Sequence, residues 1–581
     1  MTSLVNILDN YTPTQFGENC HVEYTWSNKI QEKILQLSFQ LTRTDQDGIH
    51  RLDFVLSEIL MVLKHQIDTG SLPEKELAKG HLSLLYRLIA QTRDIIDGKG
   101  EYALAYMMVR VWHKFYPELA KFALKCFVSL NDNDLHSHQY GSWKDLKYFC
   151  EYCRNQGDNI DCPLILYSVN LINQQIKKDF NNILYDVNNI SLAAKWVPRE
   201  KSKFGWLYKA VATDYFHEFL DTAKNDDQER KAVLKCKTEY RKVLSTLNRY
   251  IDTTQIKQCD QTWQHIDFNK VTSITLANQK KAFLNIKNNG ESRYPDNFDR
   301  IECANNFKTH IHRAVKGEVE MKGKRIGMAD FTKQALSFLN YYGNQVEKDL
   351  LNSQWRDNSS QNGALGKMIA MVDVSGSMEG DPMNAAISLG IRIAEKSVLG
   401  KRLMTFSARP SWINLEPYPD FISQVEVIKN ADWGMNTNFY AALDLILDAI
   451  IQNKMRPEDV QDMVLVILSD MQMDNCDKCN KQTLYETMKT KYELAGIRVN
   501  GQPYKPPHIL FWNLRSTSGF PTLSNQPNAS MMSGFSPSLL NLFCEQGLNA
   551  LQSCTPWSLL TKSLENERYK IMSTKLQEVL G

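Results

Sequence analysis

With 581 residues, 43% of them apolar and 23% charged, the chain has an ordinary globular composition but is too long for one core, so two or more domains are expected. A formal net charge of +2 gives no global attraction to nucleic acid, and any such function has to rest on local patches. The opening residues MTSLVNILDNYTP lack the basic-then-apolar order of a secretory leader, no apolar run reaches bilayer-spanning length, and the 12 cysteines are scattered, so an intracellular, cytoplasmic protein with reduced thiols and no membrane association is expected.

Up to about residue 360 the apolar residues recur at spacings of three and four, which predicts helices over Ile30–Leu41, Arg51–Gln66, Leu82–Ile96, Tyr102–Phe115, Pro117–Leu130 and Leu164–Phe180. Pro and Gly punctuate them, and the short connections suggest stacked helix pairs in a degenerate array with no fixed repeat length and no strands. Gly98-Lys99-Gly100 reads as a tight turn between helices in preference to a phosphate cradle, and Arg93 and Asp94 as partners of each other or caps of their neighbours. Cys150 and Cys153 (with Cys162 following) and Cys476 and Cys479 form two Cys-x-x-Cys pairs. Neither has a second pair nearby, so isolated thiols one helical turn apart are favoured over structural zinc. His136 with His138 and His310 with His312 read as surface histidines.

Three basic stretches follow. Lys195, Arg199, Lys201, Lys203 and Lys209 are interleaved with Trp196, Phe204, Trp206 and Tyr208. Lys231, Lys235, Lys237, Arg241, Lys242 and Arg249 share a helical segment. Lys308, Arg313, Lys316, Lys322, Lys324 and Arg325 form the third. Cations that track phosphates beside aromatics that stack on bases are what single-stranded RNA requires. The competing reading is a set of solvated helix faces whose aromatics turn to the core. The candidate RNA contacts are Lys195, Arg199, Lys201, Lys203, Lys235, Arg241, Lys242, Arg313, Lys324 and Arg325.

Gly343 to Gly366 reads as a junction, and within it Asp357–Gly363, polar and without periodicity, reads as a linker before the first strand. Beyond it strands alternate with helices: strands at Met368–Val372, Arg402–Ser407, Trp412–Leu415, Met463–Leu468 and His508–Leu514, and helices over Asn384–Ser397, Phe439–Ile451 and from Pro537. Arg515–Ser530 reads as a polar insertion at a strand's carboxyl end, suited to the rim of a ligand site, and Pro556–Leu580 as an amphipathic helix that packs back on the helical part. The first of these strands runs into Asp373-Val-Ser375-Gly-Ser377, one carboxylate and two hydroxyls on a tight loop. Such hard oxygen donors with few formal charges suit Mg²⁺ or Mn²⁺. Ser377 does not lie in a nucleophile elbow and no phosphate-binding loop of the Gly-Lys-Ser/Thr type occurs, so catalysis and a small-molecule substrate are not expected.

KMIAMVDVSGSM resembles the first half of a metal-ion-dependent adhesion site, the signature of von Willebrand factor A domains. The loop Asp432–Asn438 resembles the one that supplies a threonine, and Ser469-Asp470 the one that supplies the last aspartate. The resemblance implies that Ser375, Ser377 and Thr437 coordinate the ion directly, and that Asp373 and Asp470 bind it directly or through water. It leaves one position for an acidic group of a partner protein. The alternative is that these loops keep the shape of the fold and hold no metal.

In the first part, the segments Arg93–Glu101, Tyr140-Gly-Ser-Trp143-Lys-Asp145-Leu146, Ala193–Pro198, Tyr240–Asn248 and Ile266–Val271 occur in that order. Together they resemble an uncharacterised family from plants and giant viruses. That family is in turn similar to the Ro ribonucleoproteins, which join a helical-repeat TROVE module to a metal-site domain. The expected architecture is an all-α, TROVE- or HEAT-like array over 1–360, a doubly wound, Rossmann-type von Willebrand A-like α/β domain over 361–550, and a C-terminal helix over 551–581. The expected function is non-enzymatic RNA binding through the array, with a divalent-metal-dependent ligand site in the second domain. The alternatives are a metal-dependent protein-interaction scaffold and, from where the family occurs, a structural component of a virion.

Overall fold

The structure is a computed structural model and describes residues 13–130, 138–187, 189–340, 344–431, 433–434, 436–461, 463–474, 482–544 and 554–581. Its second half is built on a six-stranded sheet: β3 (Met368–Asp373), β4 (Arg402–Phe406), β5 (Ser411–Asn414), β6 (Val464–Ser469), β7 (His508–Asn513) and β8 (Ala529–Ser533), in the order β5-β4-β3-β6-β7-β8. All neighbours are parallel except the β4–β5 edge pair, which is antiparallel.

Alternate residues of the central strands feed two cores, as the two-residue period of a strand demands. Ala370, Val372, Leu403, Val466, Leu468, Leu510 and Trp512 face one core with the helix Asp381–Lys396. Met371, Met404, Phe406, Leu465, Ile467, Ile509 and Phe511 face the other, with the helices Phe439–Gln452 and Leu484–Asn500. Burial on both faces explains the unbroken apolar runs of β6 and β7.

The first half is predominantly helical. Helices Ile30–Gln40, Gln46–Thr69, Leu72–Arg93, Ala103–Phe115, Pro117–Cys126, Lys144–Asn155 and Pro163–Leu184 pack on near neighbours in the chain. Sequence periodicity predicts six of these helices, although Leu72–Arg93 starts ten residues before the predicted Leu82, and it does not predict Lys144–Asn155. Between the second and third of them, Ser71 and Glu74 form a capping box next to Pro73.

Two features differ from expectation in this half. A short antiparallel hairpin, β1 (Thr14–Phe16) and β2 (Val22–Tyr24), precedes the helices. Three-residue strands are too short for alternation to register. The junction is helical over Gln345–Ser359, so the first three residues of the predicted linker Asp357–Gly363 belong to a helix. Its polar residues Glu347, Ser353, Gln354 and Asn358 are buried, so composition conceals the helix's inner face. Trp355 stacks on Phe421 with ring centroids 3.9 Å apart, and the buried Arg392 guanidinium sits 4.4 Å from the Trp355 ring while bonding Asn358 and Asn362. The preceding helix Met328–Asn340 packs on Asp381–Lys396, so the sheet's outer helical layer begins well before β3.

The chain ends tie the halves together. Tyr24 and Phe520 exchange backbone hydrogen bonds of 3.0 and 3.1 Å. The helices Pro556–Leu564 and Lys570–Leu580 pack on Leu72–Arg93, and the last also on Pro117–Cys126.

Arg93 and Asp94 do not pair with each other. Arg93 makes a bidentate, fully buried bridge to Asp145 at 2.7 and 2.8 Å, joined by the Tyr106 hydroxyl at 2.6 Å. Asp94 caps its neighbours as expected, accepting the Ile96 and Asp97 N–H groups at 3.0 and 3.3 Å, and is also held by Arg568 and Tyr569. The Gly98-Lys99-Gly100 turn has Gly100 at φ +72° and Gly98 with no room for a side chain, since a Cβ there would lie 2.1 Å from the Gln91 carbonyl oxygen. Lys99 turns inward and donates to the carbonyls of Ser38 and Leu41 (2.6 and 3.0 Å) and to Ser533 Oγ on β8 (2.7 Å). Among the described residues no helix is long and apolar enough to cross a membrane.

Candidate metal centre and basic face

Two of the loops that carry the predicted metal residues leave the carboxyl ends of the adjacent strands β3 and β6, and the third, which follows the helix Phe421–Lys429, is bonded to the end of β4 beside them. This is the edge of a parallel sheet where ligands bind in open α/β folds. Asp373 ends β3 in register with Phe406 of β4. Its Oδ1 accepts the Ser375 N–H at 3.0 Å, and its Oδ2 accepts the hydroxyl of Ser469, the last residue of β6, at 2.6 Å. The Ser375 and Ser377 hydroxyls lie 3.2 Å apart. Asp470, fully buried, accepts the Gln472 N–H on Oδ1 (3.0 Å), and its Oδ2 accepts Arg515 Nε (2.9 Å) with the second Arg515 nitrogen at 2.7 Å.

Burial, reinforced by the charge on Asp470, pushes the Asp373 carboxyl up to about 7. Thr437 is buried, and its backbone is locked to Asp474: its N–H donates to the Asp474 carboxylate at 2.8 Å and its carbonyl accepts the Asp474 N–H at 3.0 Å. The next residue, Asn438, reaches Ser407 at the end of β4 with its N–H at 3.0 Å. Asp373, Ser375, Ser377 and Asp470 therefore stand on the linked ends of β3 and β6, while Thr437 enters on a loop fastened to both sides. Asp432 lies outside the described residues.

Sequence reasoning missed three parts of this edge. Asp474 fixes the threonine loop. Arg515, the second residue after β7, clamps Asp470. Glu18, from the turn of the N-terminal hairpin, meets the same guanidinium at 2.6 Å. Arg515 lies in the stretch assigned to the ligand rim, whereas nothing in the sequence links Glu18 to it. A cleft of about 540 Å³ opens beside Arg515, bounded by Arg43 and Arg51 from the array and by Asp381 and Ser516–Ser518. Among the described residues no three His, Cys, Asp or Glu side chains are grouped to hold a metal, so a cation at this edge depends on hydroxyl donors. Two buried carboxylates, Asp373 and Asp470, with the Ser375 and Ser377 hydroxyls are a donor set that fits a hard divalent ion.

The basic residues separate into two groups. Arg241 pairs with Glu200 at 2.6 Å, Lys242 with Glu239 at 2.8 Å, Arg313 with Glu318 at 3.3 Å, and Lys324 with Glu320 and Asp357 at 2.9 and 3.5 Å. Arg325 donates to the Ile95 carbonyl at 2.7 Å, and Lys235 lies 3.9 Å from the Phe219 ring centroid. Lys195, Arg199, Lys201 and Lys203 make no ion pair with a described carboxylate. Lys195, Arg199 and Lys203 gather around the helices Lys144–Asn155 and Ala193–Trp196 with two cations the sequence reading left out, Lys144 and Lys147. Lys147 Nζ lies 5.0 Å from the Trp196 ring centroid, 5.2 Å from Tyr148 and 5.4 Å from Phe204, and Lys203 lies 4.8 Å from Phe204. Burial, then the charges of Lys144 and Arg199, lower the Lys147 pKa. Trp206 and Tyr208 instead serve the fold, donating to Glu151 and to the Lys237 carbonyl.

Cys150 and Cys153 lie one turn apart in the core, with burial pushing the Cys150 thiol up to about 12 and raising the Cys153 thiol as well. A zinc ligand needs the thiolate, which this setting disfavours. Cys476, Cys479 and His136 lie outside the described residues. His138 and His312 are exposed, but His310 is buried against Phe268, contrary to the surface expectation.

Residues 163–357 match the family model described as Domain of unknown function (DUF2828), and residues 367–577 match Domain of unknown function (DUF7788). The second match begins at β3 and takes in the C-terminal helices, which places the sheet and its return to the array within one family unit. The chain is also similar to "Uncharacterized protein L728" of Acanthamoeba polyphaga mimivirus, with 28% identity over 503 residues that cover 83% of this chain and 79% of the relative. Over most of its length, then, the chain resembles an uncharacterised giant-virus protein, with both parts matching domain families of unknown function.

Proposed function

We propose that this chain is a non-enzymatic RNA-binding protein, Ro-like in plan, with a TROVE-like helical array and a von Willebrand A-like domain that carries a metal-ion-dependent ligand site. The observation that carries the RNA reading is the cluster of Lys144, Lys147, Lys195, Arg199 and Lys203 around Tyr148, Trp196 and Phe204. Its cations make no ion pair with a described carboxylate, and Lys147 lies over three rings. Cations left without acids inside a chain of near-zero net charge favour a polyanion, and adjacent aromatics favour one with accessible bases. Binding of a labelled single-stranded RNA is expected to weaken with salt, with a slope of about −3 to −4 in log–log form if five or so phosphates are engaged. Salt-independent binding, or none, removes this reading.

A second reading is favoured by the sheet edge. Ser375, Ser377 and Thr437 would hold Mg²⁺ or Mn²⁺, with Asp373 and Asp470 bound directly or through water, and the ion would supply a Lewis-acid position for an anionic oxygen of a partner protein. Asp373 and Ser469 keep the donor loops together, Asp474 orients the Thr437 loop, and Arg515 fixes one oxygen of Asp470. Partner capture that survives both a chelator and Asp373→Ala would exclude it.

A further inference from the structure

A cavity of about 350 Å³ lies beside the basic cluster, between the start of the helix Lys144–Asn155 and the segment that leads into the helix Ala193–Trp196. Trp143, Trp196 and Leu192 supply apolar lining, and Gln139, Ser142 and Gln175 supply polar lining. The volume is at the small end of the range for ligand sites, of roughly 300–1,000 Å³. Two indoles beside amide and hydroxyl groups match a flat heteroaromatic ring with donors and acceptors on its rim. The acids nearby are already committed. Asp145 is bound to Arg93, and Asp179 accepts from Gln175 at 2.7 Å and from the Ser191 hydroxyl at 2.5 Å. Arg93 neutralises Asp145, and cations outnumber the charge that remains on Asp179 next to the cavity: Lys195 adjoins Trp196 in the chain and Lys144 adjoins Trp143, while Lys147 lies over Trp196.

We infer that this cavity receives one unstacked base of a single-stranded RNA, with the flanking phosphates on Lys144, Lys147, Lys195 and Arg199. This rests on the RNA reading above but assigns a different element, a base slot, where that reading needs only cations. A base enters such a slot only when it has left its helix, so the site selects single strands, loops and ends over duplex. Basic groups alone make no such distinction, because a duplex carries the denser charge.

The test uses the full chain and three probes: a labelled 12-nucleotide oligouridine, the same strand with abasic positions, and an RNA duplex of equal length. Replacing a stacking aromatic by Ala removes about 1–3 kcal/mol per base, which is roughly 5- to 150-fold in affinity. Trp196→Ala is expected to weaken oligouridine binding by a factor in that range and duplex binding by less than about twofold, with Trp196→Phe recovering most of the loss. The abasic strand should bind the native chain as weakly as oligouridine binds Trp196→Ala. Photocrosslinking of a 4-thiouridine strand to the native chain should yield adducts in peptides containing Trp143 or Trp196, a readout that holds even if the alanine variant does not fold. Equal binding of all three probes, or crosslinks confined to other peptides, overturns the base slot and leaves RNA binding standing. Absence of binding by the native chain overturns both.

Discussion

Arg568, in the C-terminal segment, grips Asp94, at the end of an early helix, through two hydrogen bonds of 2.9 and 2.7 Å. Asp94 is fully buried and also accepts the Tyr569 hydroxyl at 3.1 Å, while Tyr140 donates to the Arg568 carbonyl at 2.6 Å. Removing one partner of a buried pair leaves the other charge uncompensated, at a cost of about 3–5 kcal/mol. Arg568→Ala should therefore lower the thermal midpoint and expose the helix Lys570–Leu580 to limited proteolysis. An unchanged melt and an unchanged digestion pattern would show that the pair does not hold that helix in place.

Lys99 gives a pH signature. Burial lowers its amine to about 7 from an ordinary value of 10.5. Between those values the unfolded chain holds a proton that the native state has released, so stability rises with pH across that window and is lowest below it, with a slope on the order of 1 kcal/mol per pH unit. Denaturant melts from pH 7 to 10 check this. In Lys99→Met the rise should disappear, and the loss of the donor to Ser38, Leu41 and Ser533 should cost about 1–3 kcal/mol at pH 7.

Gly98→Ala probes the turn that carries Lys99. The added methyl would lie 2.1 Å from a backbone oxygen, which no rotamer relieves. The turn has to shift and take Lys99 with it. A loss of about 1–3 kcal/mol is expected, read as a lowered chemical-denaturation midpoint. Gly80→Ala, where a methyl meets open space, serves as the matched control and should be neutral or slightly stabilising.

Binding of Mn²⁺ to the native chain, followed by paramagnetic resonance, should fall at least tenfold in Asp373→Ala and also in Asp474→Ala, which acts only through the Thr437 loop. Arg515→Ala separates the roles at this edge. It frees Asp470 Oδ2 and releases Glu18, so binding of the metal alone should be kept or strengthened. Unaltered Mn²⁺ binding in Asp373→Ala would place the ion elsewhere.

Much of this molecule was legible in its residues. The helices with long apolar stripes, such as Pro163–Leu184, declare themselves by spacing, and β6 and β7 do so by unbroken apolar runs between turn residues. Elements that bury polar side chains were not legible. Gln345–Ser359 falls in a stretch read as a junction because Asn, Ser and Gln occupy its inner face, where Arg392 and backbone groups satisfy them. β8, with the sequence ASMMS, begins in the last two residues of the stretch read as an insertion, and only its partners on β7 and in the helix Pro556–Leu564 make it a strand. At the sheet edge, residues of a local motif were visible, but Glu18 and Arg515, 497 positions apart, are brought together by the fold alone. Local spacing reports what a segment does for itself, whereas these contacts depend on chain that lies elsewhere.

The tie between Asp94 and Arg568 spans 474 positions of sequence, and the hairpin at residues 14–24 bonds to Phe520 near the other end. A ribosome making this chain would release the early helices long before their last partners exist. Their inward surfaces, including the unneutralised Asp94 carboxylate, would have to wait in solvent or with a chaperone until synthesis finishes. Truncated or nicked molecules should therefore be conspicuous to the cell's quality control, and the two halves should be far more soluble when made together than when made apart.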